Sequence, residues 1–113
     1  NEFQNPKGVK MPDYHESLEE LSEEARNFSR ALNSLKEEIE AVNWYHQRVD
    51  VTGDEHLKKV LAHNRDEEIE HACMALEWLR RNMPAWDDHL KTYLFTTAEI
   101  TAIEEGESDE SET

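Results

Sequence analysis

Glu68 and His71 stand three residues apart in RDEEIEH, residues 65–71. On a helix, positions i and i+3 share a face, so a carboxylate and an imidazole can address one centre. The pair therefore has metal-ligand spacing. The same seven residues hold four acids, which is also the composition of an ordinary wet helix surface. His71 is equally placed to pair with Glu67 one turn back, so spacing alone leaves the two readings level. Position separates them. Between Leu61 and Ala72 an apolar stripe should continue through 64, 68 and 71, and those positions hold Asn64, Glu68 and His71. Polar groups on a face meant for burial cost several kcal/mol unless satisfied. Upstream, Glu38 sits beside Leu35, Ile39 and Val42, close to another apolar seam.

A di-iron carboxylate site in a four-helix bundle takes a Glu from each of two helices and a Glu-x-x-His from each of the other two. Carboxylates bridge and neutralise two cations, and imidazole suits Fe(II). Glu38, Glu68 and His71 make half of that set. A symmetric interface presents the same patch twice, so two copies of the chain would complete it.

The elements that must position these residues are helical. Only three Gly and three Pro occur in 113 residues, which favours long helices over a sheet with many turns. Leu18, Leu21, Ala25, Phe28, Leu32, Leu35, Ile39, Val42 and Val49 follow an alternating three-four spacing, interrupted at His46. The pattern predicts a helix over about 17–50, opened by a Ser17-x-x-Glu20 capping box. Gly53 suits a left-handed C-cap, and Thr52-x-x-Glu55 offers the next capping box. A second helix is expected over about 54–81, with Leu57, Val60, Leu61, Ala72, Met74, Ala75, Trp78 and Leu79 as its apolar positions. The short connection predicts an antiparallel pair. Pro84 can start a further short helix bearing Trp86, Leu90, Tyr93 and Leu94. Thr96-x-x-Glu99 is a third capping-box candidate, ahead of Ile100 and Ile103.

The fold class expected is all-α: an antiparallel two-helix hairpin plus a short C-terminal helix, dimerising into a four-helix bundle. A lone hairpin of this size buries too little surface to stand comfortably alone. The helical domain should span 16–104. Residues 1–15 are expected to be disordered or tag-like, with Met11 as a candidate natural start, and 105–113 to be a solvated acidic tail.

Composition narrows the partners. Twelve basic against 27 acidic residues give a net charge of −15. That argues against nucleic acid and anionic membranes and fits the attraction of cations. No apolar run is long enough to span a bilayer and no secretory pattern appears, so a cytoplasmic protein is expected. Cys73 is the single cysteine, which excludes an intramolecular disulfide. It is expected to pack as a small buried apolar residue. His46 reads as a neutral packed histidine, Trp78 and Trp86 as core or interface aromatics, and His15, His56 and His89 as surface groups.

Three blocks carry a resemblance: EEIEAVNWYHQRVD (37–50), LAHNRDEEIEHACMALEWLRRN (61–82) and HLKTYLFTTAEITAIE (89–104). Together they closely resemble the encapsulated ferritins, small ferritin-like cargo proteins of encapsulin nanocompartments, over about residues 16–104. The resemblance implies a ferroxidase located inside an encapsulin nanocompartment in the cytoplasm. It implies a di-iron centre between two antiparallel subunits, a ferritin-like four-helix bundle, and five dimers closing into a homodecameric ring. It places the iron ligands on Glu38, Glu68 and His71, with Glu68 bridging. Tyr45, seven residues after Glu38 and so on its face, matches the tyrosine near the centre. Glu37, Glu40 and Trp44 match the family's iron-uptake site, and their spacing puts them on a separate stripe. His63, Glu67 and Glu70 match a secondary cation site, with calcium the candidate at such peripheral acidic positions.

Plainer roles stand beside these. Tyr45 and Trp44 also suit interface packing, and Glu37 and Glu40 a solvated face. His63, Glu67 and Glu70 suit an ordinary acidic surface. Family cargo chains usually carry a short targeting peptide after a flexible linker; the acidic tail is linker-like, and no apolar targeting segment is legible in it. A ring of half-sized chains encloses no mineral, so the resemblance implies iron oxidation here and storage in the surrounding encapsulin shell. The rival functions are a non-redox bundle binding Zn(II) or Ca(II) at the same carboxylates, and a structural or adaptor bundle.

Overall fold

A computed structural model describes residues 14–106. The expectations for the N-terminal segment up to residue 13 and for the tail from residue 107 lie outside that range. Among the described residues every regular element is helical: a single 3₁₀ turn (Leu18–Glu20), α1 (Glu23–Val51), α2 (Glu55–Asn82), α3 (Pro84–Tyr93) and α4 (Ile100–Glu104).

α1 begins later than its periodicity suggests. The Ser17 hydroxyl donates to Glu19 Oε1 at 2.9 Å instead of capping a helix. Leu18 and Leu21 therefore lie outside α1. The true cap is Ser22, whose Oγ accepts the backbone N–H of Ala25 at 3.0 Å. That satisfies one of the donors a helix start leaves open. Arg26 in the first turn reaches back with Nε and Nη2 to the Leu18 carbonyl and ties the 3₁₀ turn down.

The turn between α1 and α2 also departs from expectation. Thr52 closes α1: its N–H and its hydroxyl both donate to the Arg48 carbonyl. Asp54 opens α2, its Oδ1 accepting the Leu57 N–H at 2.9 Å. Gly53 does not adopt the left-handed conformation; with Thr52 extended at φ −77° and ψ 124° the chain turns without it.

The chain divides into two compact units, the first ending at Trp78 and the second beginning at Leu79. In the first, contacts fix α1 and α2 as antiparallel, because partners fall along α2 as they rise along α1. Phe28 meets Trp78 edge-on with ring centroids 5.8 Å apart. Glu38 meets His71, and His46 meets Arg65. The apolar residues are not used up by this pairing. Ile39 keeps 56 % of its surface exposed, Val60 55 % and Met74 64 %. A helix touching one neighbour can cover only part of an apolar stripe that spans 100° or more.

In the second unit Leu79 is fully buried and Ile103 nearly so. Pro84 occupies the first turn of α3, where its missing N–H costs nothing. Asp87 of α3 pairs with Arg80 and, at 3.0 Å, with Lys91. Those cations hold its carboxyl below the usual aspartate range, Lys91 more than Arg80. The expected Thr96 cap is replaced by Glu99, whose carboxylate accepts from the N–H groups of Thr101 and Ala102. The Thr96 hydroxyl donates back to the Tyr93 carbonyl instead. α3 is the short helix expected to start at Pro84, and α4 is the last short turn expected to carry Ile100 and Ile103. Phe95, between them, takes a positive φ of 61° and is fully exposed.

Candidate metal centre

Glu38 reaches the site from the middle of α1, and Glu68 and His71 from the middle of α2. Because the helices run antiparallel, the i, i+3 pair of one helix faces the single carboxylate of the other. His71 Nδ1 lies 3.3 Å from Glu38 Oε2 and 3.7 Å from Glu68 Oε1. Each residue offers a ligand atom, and the three atoms lie within 4.8 Å of one another. Among the described residues no other trio of His, Cys, Asp or Glu side chains comes as close.

The cluster is short of positive charge. Glu38 Oε2 is buried and accepts no hydrogen bond, although an imidazole stands beside it. Partial burial raises the proton affinity of Glu68 above the usual glutamate value. The neighbouring Glu38 carboxyl raises it further, against a smaller pull from His71. Two carboxyls and an imidazole thus converge with one buried oxygen unsatisfied. A divalent cation would relieve both the repulsion and the orphaned acceptor. The donor set, two oxygens and a nitrogen, is one that iron and zinc accept.

The remaining expected residues are placed less tightly. Tyr45 is half-buried on α1, outside the ligand cluster, with the Arg48 guanidinium 5.3 Å from its ring centroid. Glu37 and Glu40 are exposed, and Trp44 keeps 52 % of its surface. His63 and Glu67 approach to 3.8 Å along one face of α2, and Glu70 is exposed. Neither outer group forms a close trio within one chain.

Two expectations fail. Cys73 is exposed, not buried. His46 is exposed as well, with Nδ1 3.3 Å from Arg65 Nη1. Both line an open apolar groove of about 530 Å³ with Leu35, Ile39, Val42 and Leu76. The three-four pattern assigned Leu35, Ile39, Val42 and the interruption at His46 to one seam, but it could not say which part of a broad apolar face the partner helix would cover. Sequence reasoning also passed over the Arg48–Tyr45 contact, for which the i, i+3 spacing was the available signal.

Comparison with known proteins gives the lineage. A ferritin-like protein of Thermotoga maritima is 67 % identical over 99 residues, covering 88 % of this chain and 87 % of its own. An encapsulated ferritin-like protein of Rhodospirillum rubrum is 62 % identical over 90 residues, covering 80 % of this chain. The match spans 64 % of that relative's length. An encapsulin nanocompartment cargo protein of Myxococcus xanthus is 36 % identical over 58 residues, 51 % of this chain and 45 % of that one. The crystal structure of a Nitrosomonas europaea protein superposes with a TM-score of 0.75 at 57 % identity, covering 77 % of this chain and 96 % of that one. Residues 13–97, which include all three ligand candidates, match the family model described as EncFtn-like, and the chain belongs to the EncFtn-like family.

Proposed function

We propose that the protein is a ferroxidase, oxidising Fe(II) to Fe(III) with dioxygen at a di-iron centre shared by two copies of the chain. The observation that carries this reading is the half-complete ligand set. Glu38, Glu68 and His71 converge from two helices, with Glu38 Oε2 buried and unsatisfied. Two such sets facing each other supply four carboxylates and two imidazoles, the full complement of a di-iron carboxylate bundle. A second hairpin also gives the exposed apolar residues of the first something to pack against.

In this reading Fe(II) is the substrate. Glu68 of each copy bridges the two ions, while Glu38 and His71 hold them from the sides. Each bridging carboxylate lowers the net charge of the metal pair, which favours the ferric state. Tyr45 hydrogen-bonds a ligand from the same face of α1. The acidic exterior attracts the cation: Glu37, Glu40 and Trp44 form the uptake stripe, and His63, Glu67 and Glu70 a peripheral cation site that suits calcium. Dimers close into a decameric ring, and oxidised iron passes to an encapsulin shell in the cytoplasm. The encapsulated and cargo relatives support that setting.

The test is aerobic Fe(II) oxidation followed by ferric absorbance. Glu68→Ala and His71→Ala are each expected to slow the rapid phase by about a hundredfold or more, because losing a ligand exceeds the tenfold to hundredfold cost of losing its support. Helix content should be unchanged. Near-parental rates in either variant would sink the assignment. Metal uptake without any growth of ferric absorbance in the parent protein would replace it with a non-redox metal bundle.

A further inference from the structure

One polar residue of the central stripe is left unused by this reading. On α2 the positions Leu57, Leu61, Asn64, Glu68, His71, Ala75 and Trp78 alternate in steps of four and three. They form one continuous face. Both ends are apolar and the middle three are polar. Glu68 and His71 belong to the ligand cluster; Asn64 does not. It is half-buried, and no hydrogen bond joins its amide to another described residue. Leucine at that position would continue the apolar stripe and favour the helix, so the amide costs stability and calls for a reason.

The neighbouring carboxylate supplies one. Side chains on a helix lean toward its N-terminus, so Glu68 leans back over the turn that carries Asn64. The Cβ atoms of such an i, i+4 pair lie about 5–6 Å apart, and an asparagine amide carries two donors. A carboxylate that turns one oxygen to a metal needs its other oxygen hydrogen-bonded to stay in one rotamer. We propose that Asn64 is a positioning residue, donating its amide N–H to the outer oxygen of Glu68 when that carboxylate holds a metal ion. The inference rests on the reading of Glu38, Glu68 and His71 as a metal half-site.

Co(II), whose visible absorption reports its ligand field, is the probe. Titrations of the full chain would compare the parent with Asn64→Leu, Asn64→Ala, Asn64→Gln and Glu68→Ala. Asn64→Leu is expected to weaken Co(II) binding about tenfold or more and alter the spectrum, while the melting temperature of the metal-free protein stays level or rises. A packing role predicts no such opposition. Asn64→Gln, which keeps the amide, should stay within a few-fold of the parent. Parental affinity and spectrum in both Asn64→Leu and Asn64→Ala would overturn the proposal. Affinity losses that merely follow loss of assembled protein, read by sedimentation, would overturn it too. If Co(II) binding in the parent does not depend on Glu68, the half-site reading fails and this inference goes with it. If it does depend on Glu68 and the Asn64 variants are silent, only this inference fails.

Discussion

The two flanks of the α1–α2 hairpin are made by the same pair of helices and differ sharply in chemistry. At about 100° per residue, Leu35, Ile39 and His46 lie about 60–100° round α1 from Glu38. Ile69, Cys73 and Leu76 lie about 80–140° round α2 from Glu68, with His71 displaced in the opposite sense. One flank therefore carries the acidic cluster, and the other the groove, whose lining includes no Asp, Glu, Lys or Arg. The comparison shows what happens to apolar periodicity broader than one neighbour can cover. The surplus becomes two open faces, one spent on ligands and the other kept apolar.

That contrast can be broken from the groove side. In the proposed ring, where contacts between dimers would cover this flank, an aspartate at position 39 would sit in an apolar groove, and an unpaired charge there costs several kcal/mol. Ile39→Asp is expected to dissociate the oligomer in sedimentation. If the groove stays open to water, the substitution stays within about 0.5 kcal/mol and changes nothing. The cluster side is sharpened by pH. Because the fold raises the proton affinity of Glu68, it favours the neutral carboxyl. The resulting stability is present in acid and is lost as pH rises through the raised value. In metal-free protein Glu68→Gln should therefore melt higher than the parent at neutral pH. The gain should shrink as pH falls through the raised value and be gone below the ordinary value of 4.5. A lower melting temperature for Glu68→Gln would show instead that the charged form is favourably held. The smallest change touches both flanks equally. Asp54→Ala removes the α2 cap and should cost about 1 kcal/mol, seen as a lower denaturation midpoint with unchanged slope. A selective loss of metal binding in that variant would mean that the hairpin's two ends are not independent.

Much of the molecule is legible in its amino-acid sequence. The all-helical class, the antiparallel hairpin and the trio Glu38, Glu68 and His71 followed from period, turn length and ligand spacing. Helix starts read poorly for one repeated reason. Ser17, Thr52 and Thr96 each precede a glutamate by three, which is capping-box spacing. In the structure Thr52 and Thr96 turn their hydroxyls back to the Arg48 and Tyr93 carbonyls, and Ser17 bonds to Glu19. The caps fall to Ser22, Asp54 and Glu99. A hydroxyl between two helices can serve the end of the first or the start of the second, and the motif does not record which backbone group lies within reach.

By itself the amino-acid sequence determined which residues could share a helical face, because that depends only on the 3.6-residue turn. It was enough to put Glu68 with His71 and to mark Asn64 as out of place on its stripe. What tertiary structure decided was which faces meet. The antiparallel register brings Glu38 to His71, buries Glu38 Oε2 without a hydrogen bond, and leaves Cys73 and His46 in an open groove. Those outcomes depend on the rotation of one helix against the other about its axis. Local spacing holds no information on that rotation, since many turns of a broadly apolar helix bury nearly the same area.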